Sequence, residues 1–292
     1  MRKLVHMVAA AVALAGGVSW GAAAWGARTG SPTGRAVAAT AGSRSACTGS
    51  GLSRLLFHAP DLTVATESPS YPPWFAADDP ANGQGFESAM TYALARQLGI
   101  ARNRVIWVAE PFDDAVTPGP KAFDFDVDQI SVTPARARAV SFSRPYDQVN
   151  QVLVARKGSR IVAAHSPAQL RLYTYGAQAG TTGLDSISQR IKPTHPPVSF
   201  VTLDEAVAAL RAHRIDALVA DGPTAQHMSP AQNLVIAAQL STNEHYALAF
   251  QTGNPLVPCV NGALSTLQAN GTLGQLQRKY LGRPVTAPTI KP

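Results

Sequence analysis

The segments QVLVA (Gln151 to Ala155) and YALAF (Tyr246 to Phe250) decide the fold that this sequence predicts. Both are short and apolar, as buried strands are, and they border the second half of the chain's body on either side. A chain that leaves one lobe, builds a second lobe and returns must cross between them twice. The two segments therefore predict a pair of crossover hinge strands, and such a hinge allows two lobes to close around a ligand.

Short apolar runs alternate with helical patterns around these crossovers, which is typical of an α/β fold. Leu62 to Thr66 predicts the first strand, and apolar residues from Phe86 to Leu98 recur at helical spacing. In the second half, Thr202 and Glu205 form a capping-box pattern ahead of another helix. Further strands are predicted at residues 105–108, 125–130, 173–177, 198–201 and 217–220.

The pattern divides the body into two discontinuous lobes. We expect lobe one to comprise residues 54–150 and 246–283, and lobe two to comprise residues 151–245. Residues 28–53 are mostly Gly, Ser, Thr, Ala and Arg, so they predict a flexible tether, and residues 284–292 predict a C-terminal tail.

The first 27 residues have the charge layout of an export signal. Arg2 and Lys3 precede a run from Leu4 to Ala27 that contains no Asp, Glu, Lys or Arg. Small residues at its end offer a cleavage site, while the apolar stretch is also long enough to remain in the bilayer as an anchor. In both cases we expect an exported protein that is extracytoplasmic, secreted or associated with the cell surface.

The net charge of +7 comes almost entirely from the first 60 residues. Residues 1–60 contain six Arg and Lys residues and no acid, which leaves 19 basic against 18 acidic residues in the remainder. The body is therefore nearly neutral, and a nucleic-acid role has little electrostatic support.

The two cysteines, Cys47 and Cys259, lie near opposite ends of the exported part. In an oxidising compartment they can close a disulfide that fixes the end of the tether to the body. Two unpaired thiols are the alternative.

Signatures of catalysis and cofactor binding are absent from the sequence. It contains no Gly-rich nucleotide fingerprint, no phosphate loop and no Gly-x-Ser-x-Gly elbow, and none of its seven histidines stands at metal-ligand spacing. We therefore expect no cofactor, no metal and no enzymatic activity.

Seven short segments stand in a characteristic order. They are SPSYPPW (68–74), GFE (85–87), SVTPAR (131–136), FSRPY (142–146), QAGTT (178–182), IDALVAD (215–221) and NGTLGQLQRKY (270–280). From Asp61 to Gly282 the chain thereby resembles the family 3 bacterial solute-binding proteins of polar amino acid ABC importers. The resemblance implies a two-lobed, periplasmic-binding-protein-like fold of type II, and a monomer that delivers a free amino acid to an importer permease.

A free amino acid presents a carboxylate close to an ammonium group, so its site needs a fixed cation and a fixed anion. Arg136 can grip a carboxylate through two hydrogen bonds, and it follows a strand, where the crevices of open α/β sheets form. A surface arginine like Arg138 is the alternative. The family pattern implies that Asp221 holds the ammonium group, and a helix-capping Asp is the competing interpretation.

Other residues of these motifs complete the predicted site. We expect hydroxyl donors from Ser131 and Thr133, and backbone N–H donors around Thr181 and Thr182 at a helix start. The aromatic residues Tyr71 and Trp74 are expected to wall the pocket. Specificity would come from a last group, in which the acids favour a polar or cationic ligand side chain: Glu67, Ser68, Asp128 and Gln129.

Two other functions are compatible with this pattern. Relatives of the architecture include dehydratases of cyclohexadienyl acids, for which Glu67 or Asp128 would supply the cleft carboxylate. Alternatively, the protein with its ligand bound signals to a separate membrane receptor.

Overall fold

The computed structural model of the protein describes residues 46–164 and 166–290, all within one compact unit, Thr40–Pro292. The predicted export signal or anchor at residues 1–27 and most of the predicted tether lie outside the described residues. Within those two ranges, the helices are all too short or too polar to span a bilayer.

Strands and helices alternate along the chain, as predicted. The strands are β1 (Leu62–Thr66), β2 (Val105–Ala109), β3 (Phe125–Asp126), β4 (Ser141–Phe142), β5 (Asp147–Val149), β6 (Gln151–Arg156), β7 (Tyr175–Gln178), β8 (Val198–Phe200), β9 (Ala217–Asp221), β10 (Leu234–Leu240), β11 (Glu244–Tyr246), β12 (Ala249–Phe250) and β13 (Thr289–Ile290). The α-helices are α1 (Gly49–Ser53), α2 (Phe86–Gln97), α3 (Phe112–Ala115), α4 (Pro167–Leu170), α5 (Thr182–Ser186), α6 (Leu203–Arg211), α7 (Gly222–Ala231), α8 (Val257–Ala269) and α9 (Thr272–Tyr280).

The first lobe is built on a five-stranded sheet with the order β2-β1-β3-β12-β4. Strand β1 pairs in parallel with β2 and β3, and all five of its residues are buried. Burial on both faces is what a parallel strand covered by helices requires. The core of this lobe contains the fully buried side chains of Trp74, Phe86, Phe125 and Phe250.

The second lobe is built on a six-stranded sheet with the order β13-β10-β6-β9-β7-β8. Strands β7, β8 and β9 run parallel to one another, whereas β6 is antiparallel to both of its neighbours. Helix α6 begins as predicted, because the Thr202 side chain accepts a hydrogen bond from the backbone N–H of Glu205.

Strands β5 and β11 pair with each other and form a separate, two-stranded antiparallel ribbon between the two larger sheets. The predicted crossover strand Gln151 to Ala155 is instead the interior of β6, in the middle of the six-stranded sheet. All five of its residues are buried, which a central strand allows and a two-stranded ribbon does not. The second predicted crossover, Tyr246 to Phe250, is divided between two strands. Tyr246 is the last residue of β11 in the ribbon, and Ala249 and Phe250 form β12 in the five-stranded sheet.

A disulfide joins Cys47 to Cys259 in α8, so the bridged alternative is confirmed. Immediately after Cys47, helix α1 buries Leu52 in the core of the first lobe. The last residues of the predicted flexible tether are therefore part of the fold, held there by the disulfide and by Leu52.

Residues 284–290 of the predicted C-terminal tail are also part of the fold. After α9, the chain crosses to the second lobe, where β13 pairs in parallel with β10 at the edge of the six-stranded sheet. Val285 packs on the core cluster of β6 and β9, and Ile290 packs on the cluster of β7 and its neighbours. We call residues 281–290 the C-terminal strap, since they link the first lobe to the second.

Candidate functional site

A cavity of about 70 Å³ lies between the two sheets and is lined from both sides. Residues of the first lobe that line it are Glu67, Tyr71, Phe112, Asp128, Gln129, Ser131 and Arg136. The opposite wall consists of Gln151, Gln178, Thr181, Thr182, Leu203, Val219, Ala220, Asp221 and Thr224, and Tyr246 of β11 completes it.

The cavity lies where parallel strands of both sheets end. Glu67 directly follows β1, and Asp128 follows β3 by two residues; these strands are parallel neighbours. Gln178 and Asp221 are the last residues of the parallel strands β7 and β9. Polar side chains from both lobes therefore converge at the carboxyl ends of strands, where open α/β sheets bind their ligands.

Arg136 is buried at one end of this cavity and contacts both lobes. Its guanidinium donates to the carbonyl oxygen of Ser131 at 2.8 Å and to that of Gly180, in the second lobe, at 2.9 Å. The ring of Phe112 lies 5.1 Å from the guanidinium carbon. Burial lowers the pKa of Arg136, and the negative charge of Glu244 is the largest influence in the opposite direction. The guanidinium carries five N–H donors, so further donors remain for a ligand carboxylate.

Gly180 makes this approach of the two lobes possible. Its φ of +69° is one that residues with a side chain rarely adopt, and a Cβ atom there would lie 1.6 Å from Oδ1 of Asp113. The positive φ therefore favours glycine at this position of the QAGTT segment, and a larger residue would also have to displace the side chain of Asp113.

Asp221 lines the cavity and also caps helix α7, since its Oδ1 accepts a hydrogen bond from the backbone N–H of Thr224 at 2.9 Å. The two interpretations of this residue are thus compatible. Burial raises the pKa of Asp221 to about 6. Thr224 in turn accepts a hydrogen bond from Nε1 of Trp74 at 2.8 Å, which connects the cap to the core of the first lobe.

Four more carboxyl groups surround the first-lobe side of the cavity. Glu67 accepts a hydrogen bond from Nε2 of Gln178, and burial raises its pKa to about 7. Asp128 accepts from the backbone N–H of Glu67, and burial places its pKa well above the usual range, as it does for Asp126. Glu87 is fully buried behind them, and burial raises its pKa to about 7.

Glu87 holds Gln129 in an unusual conformation. The backbone φ of Gln129 is +47°, a value that is uncommon for residues other than glycine. Its backbone N–H donates to one oxygen of the Glu87 carboxyl group at 2.9 Å, and its Nε2 donates to the other at 2.5 Å. The hydroxyl of Tyr146 donates to Glu87 as well. These bonds fix the turn that presents Asp128 and Gln129 to the cavity.

Glu244, on β11, completes the polar network beside Arg136. Its Oε2 accepts hydrogen bonds from Oγ of Ser131 at 2.5 Å and from Oγ1 of Thr182 at 2.6 Å. Nε2 of Gln151 lies 3.3 Å from the same oxygen. One carboxylate oxygen thus receives donors from both lobes.

Most of the residues predicted for the site line this one cavity: Arg136, Asp221, Ser131, Thr181, Thr182, Tyr71, Gln129, Asp128 and Glu67. Three do not. Trp74 is fully buried in edge contact with Phe86 and Tyr246, Ser68 is exposed, and Thr133 accepts a hydrogen bond from the backbone N–H of Arg136. Trp74 was expected to wall the pocket, but its indole side chain turns into the core of the first lobe.

Several cavity residues were missed in the sequence. Gln151 and Tyr246 belong to the segments predicted as crossovers, and Gln178 begins the QAGTT segment, so their positions carried a signal. Val219 and Ala220 lie within the IDALVAD segment, whereas no pattern marked Phe112, Leu203 or Thr224 as cavity residues. Despite the many acids, the described ranges contain no group of His, Cys, Asp or Glu arranged to hold a metal ion.

Comparison with known proteins gives consistent results. The chain is 26% identical to the L-cystine-binding protein TcyJ of Escherichia coli K12 over 77% of this chain and 84% of that protein. It is 25% identical to ABC transporter arginine-binding protein 1 of the same organism, over 73% of this chain and 88% of the relative. Among solved structures, the ancestral amino acid-binding protein AncCDT-1, a precursor of cyclohexadienyl dehydratase, has a TM-score of 0.64 at 27% identity, covering 76% of this chain and 95% of that chain. The family model for bacterial extracellular solute-binding proteins, family 3, matches residues 62–283. The chain therefore belongs to the family 3 bacterial extracellular solute-binding proteins.

Proposed function

We propose that this protein captures a small amino acid with a cationic side chain outside the cytoplasm and delivers it to an ABC importer. The observation that carries the proposal is that Arg136 and Asp221, which come from different lobes, line one cavity. The guanidinium is complementary to the α-carboxylate of the ligand, and the carboxylate is complementary to its ammonium group.

The size of the cavity favours a single amino acid over a peptide. Its volume is about 70 Å³. This is only a few times the roughly 10 to 15 Å³ that a cavity needs by such a measure to hold a single water, so the space is that of a small molecule and not of a peptide.

The charge of the cavity favours a cationic side chain. A zwitterionic backbone neutralises Arg136 and Asp221, which leaves Glu67 and Asp128 on the wall of the first lobe. A guanidinium or ammonium group on the ligand would balance these acids, and the rings of Tyr71 and Phe112 offer faces for the same cation. An arginine-binding protein among the relatives is consistent with this choice.

A binding screen tests the proposal. We expect L-arginine, L-lysine or L-histidine to raise the thermal midpoint and to bind in calorimetry, since a ligand that binds only the folded state stabilises it. L-glutamine and L-cystine should bind more weakly, and L-glutamate should not bind. Tight binding of an acidic amino acid, or of no amino acid at all, would contradict the proposal.

Two variants test the origin of the preference. Glu67→Gln and Asp128→Asn each remove one ionisable carboxyl group at the wall of the first lobe and keep the shape of the side chain. We expect both to reduce the preference for arginine over glutamine by about tenfold, or 1.4 kcal/mol. Asp61→Asn, which removes a charge at the exposed Arg104 pair, is the control and should leave the preference unchanged.

Ligand binding would close the lobes, and the closed monomer would then dock on the permease. Small-angle scattering should show a smaller radius of gyration when the ligand is added, at the mass of a monomer. A dimer, or an unchanged radius, would argue against this mode of action.

A catalytic role on the same fold is the alternative, because one structural neighbour is a precursor of cyclohexadienyl dehydratase. We propose that this chain has no such activity. Incubation with a cyclohexadienyl acid should leave the substrate unchanged, and product formation that disappears in Glu67→Gln or Asp128→Asn would favour the enzyme instead.

A further inference from the structure

The hydroxyl groups beside Arg136 already serve a carboxylate of the protein itself. Glu244 Oε2 lies 2.5 Å from Oγ of Ser131 and 2.6 Å from Oγ1 of Thr182, and it is also 3.3 Å from Nε2 of Gln151. The two hydroxyl oxygens are 3.5 Å apart, so a single acceptor can satisfy both.

The same hydroxyls stand where the carboxylate of a bound amino acid would need them. Ser131 and Thr182 line the cavity together with Arg136, whose guanidinium is held by the carbonyl oxygens of Ser131 and Gly180. A carboxylate that approaches this guanidinium therefore meets two hydroxyl groups whose protons point at Glu244. Each hydroxyl has one proton, so it cannot donate to both carboxylates at once.

We propose that Glu244 is a specificity-determining residue, an internal carboxylate that competes with the carboxylate of the ligand for the hydroxyl groups of Ser131 and Thr182. The inference rests on the proposed function, since it concerns how the same cavity discriminates among cationic ligands. Glu244 weakens the advantage that an α-carboxylate gives an amino acid.

As a consequence, Glu244 should reduce the ratio of the affinity for an amino acid to the affinity for the amine that lacks its carboxylate. Like charges at hydrogen-bonding distance repel strongly in a cavity from which water is largely excluded. The carboxylate of arginine is therefore less favourable here than Arg136 alone would make it, and the absence of that carboxylate from agmatine, which is otherwise arginine, should cost the wild-type protein less affinity than it costs a protein without the Glu244 charge.

The variant Glu244→Gln tests this role, because it removes the charge and keeps the shape of the side chain. Calorimetry with L-arginine and with agmatine gives the ratio of the two affinities. We expect the preference for arginine over agmatine to rise by about tenfold or more in the variant. Glu205→Gln is the matched control: it removes one carboxylate at the exposed start of α6 and should leave the ratio unchanged.

The outcomes separate the two proposals. If neither ligand binds the wild-type protein, the proposed cationic specificity fails. If both bind and the ratio in Glu244→Gln stays within about twofold of the wild-type ratio, or moves toward agmatine, Glu244 is not a competitor. Should the variant fold poorly, argininamide replaces it: its neutral amide should bind the wild-type protein within about tenfold of arginine, and a larger loss would overturn the inference.

Discussion

Gln178, at the end of β7 in the second lobe, donates a hydrogen bond from its Nε2 to Oε2 of Glu67, 2.7 Å away in the first lobe. This bond connects Glu67 of the first lobe to the polar wall that the second lobe contributes to the cavity. Arg136 makes the converse contact, from the first lobe to the carbonyl oxygen of Gly180 in the second. Both contacts border the cavity, so the same residues connect the two lobes and line the site.

The raised pKa values of the cavity acids predict that affinity for a cationic amino acid increases with pH. Burial raises the pKa of Glu67 to about 7 and that of Asp221 to about 6. A bound cation favours the ionised carboxylates, so binding releases protons. From pH 5.5 to 7.5 we expect arginine affinity to rise by about tenfold or more, as calorimetry in buffers of different ionisation enthalpy can measure.

Glu67→Gln provides the control for this pH dependence. The variant cannot release a proton at this position, and its affinity profile should be flatter between pH 5.5 and 7.5. A wild-type affinity that is constant or falls over this range would show that these carboxyl groups do not contact the cation.

Glu87 is expected to be essential for stability, although it does not line the cavity. Glu87→Ala removes the acceptor for the buried hydroxyl of Tyr146 and for the backbone N–H and Nε2 of the partly buried Gln129. Because unsatisfied buried donors are costly, the free energy of unfolding should fall by about 2 to 4 kcal/mol. Urea denaturation measures the loss; a decrease below about 1 kcal/mol would contradict the role of the network.

The pH dependence of the free energy of unfolding gives a second test of the role of Glu87. Its folded pKa is raised by burial to about 7, above the ordinary value of 4.5, so the folded state binds the proton more tightly than the unfolded chain. The stability that protonation contributes is therefore complete below pH 4.5 and is lost as the pH rises through 7. Glu87→Gln should lack this contribution to the pH dependence, and a profile identical to that of the wild type would be inconsistent with it.

Most of the α/β alternation could be predicted from the sequence because burial imposes it locally. The short run of apolar and β-branched residues in β1 and the Thr202 cap of α6 each have a short-range signal, and both stand where they were expected. The cavity residues Arg136 and Asp221 were found through motifs whose order is specific. Their local chemistry alone was ambiguous.

What could not be predicted depends on contacts between segments that are distant in the chain. Trp74 was expected in the cavity, but the hydrogen-bond partner of its indole is Thr224, 150 residues away. Glu244 had no motif to mark it, and its three donors come from three separate elements. Neither arrangement leaves a periodic signal in the sequence.

The C-terminal strap is expected to stabilise the second lobe. Truncation after Arg283 removes Val285, which packs against Gly222 at the start of α7, and Ile290, which packs on the core of the second lobe. Both are only partly buried, so we expect the free energy of unfolding to fall by about 2 kcal/mol, measured with urea. Removal of residues 291–292 alone is the control; equal stability of the two truncated proteins would mean that the strap contributes nothing.

Calorimetric titration of Arg136→Ala and Asp221→Asn with L-arginine tests the central claim most directly. Both side chains line the cavity, one from each lobe. With thermal midpoints near that of the wild type, Arg136→Ala should lose about 2 to 5 kcal/mol of binding free energy, roughly thirtyfold or more in affinity. Asp221→Asn should lose about tenfold or more. Unchanged affinity for arginine in Arg136→Ala would contradict the account, because the ligand carboxylate would then be held elsewhere.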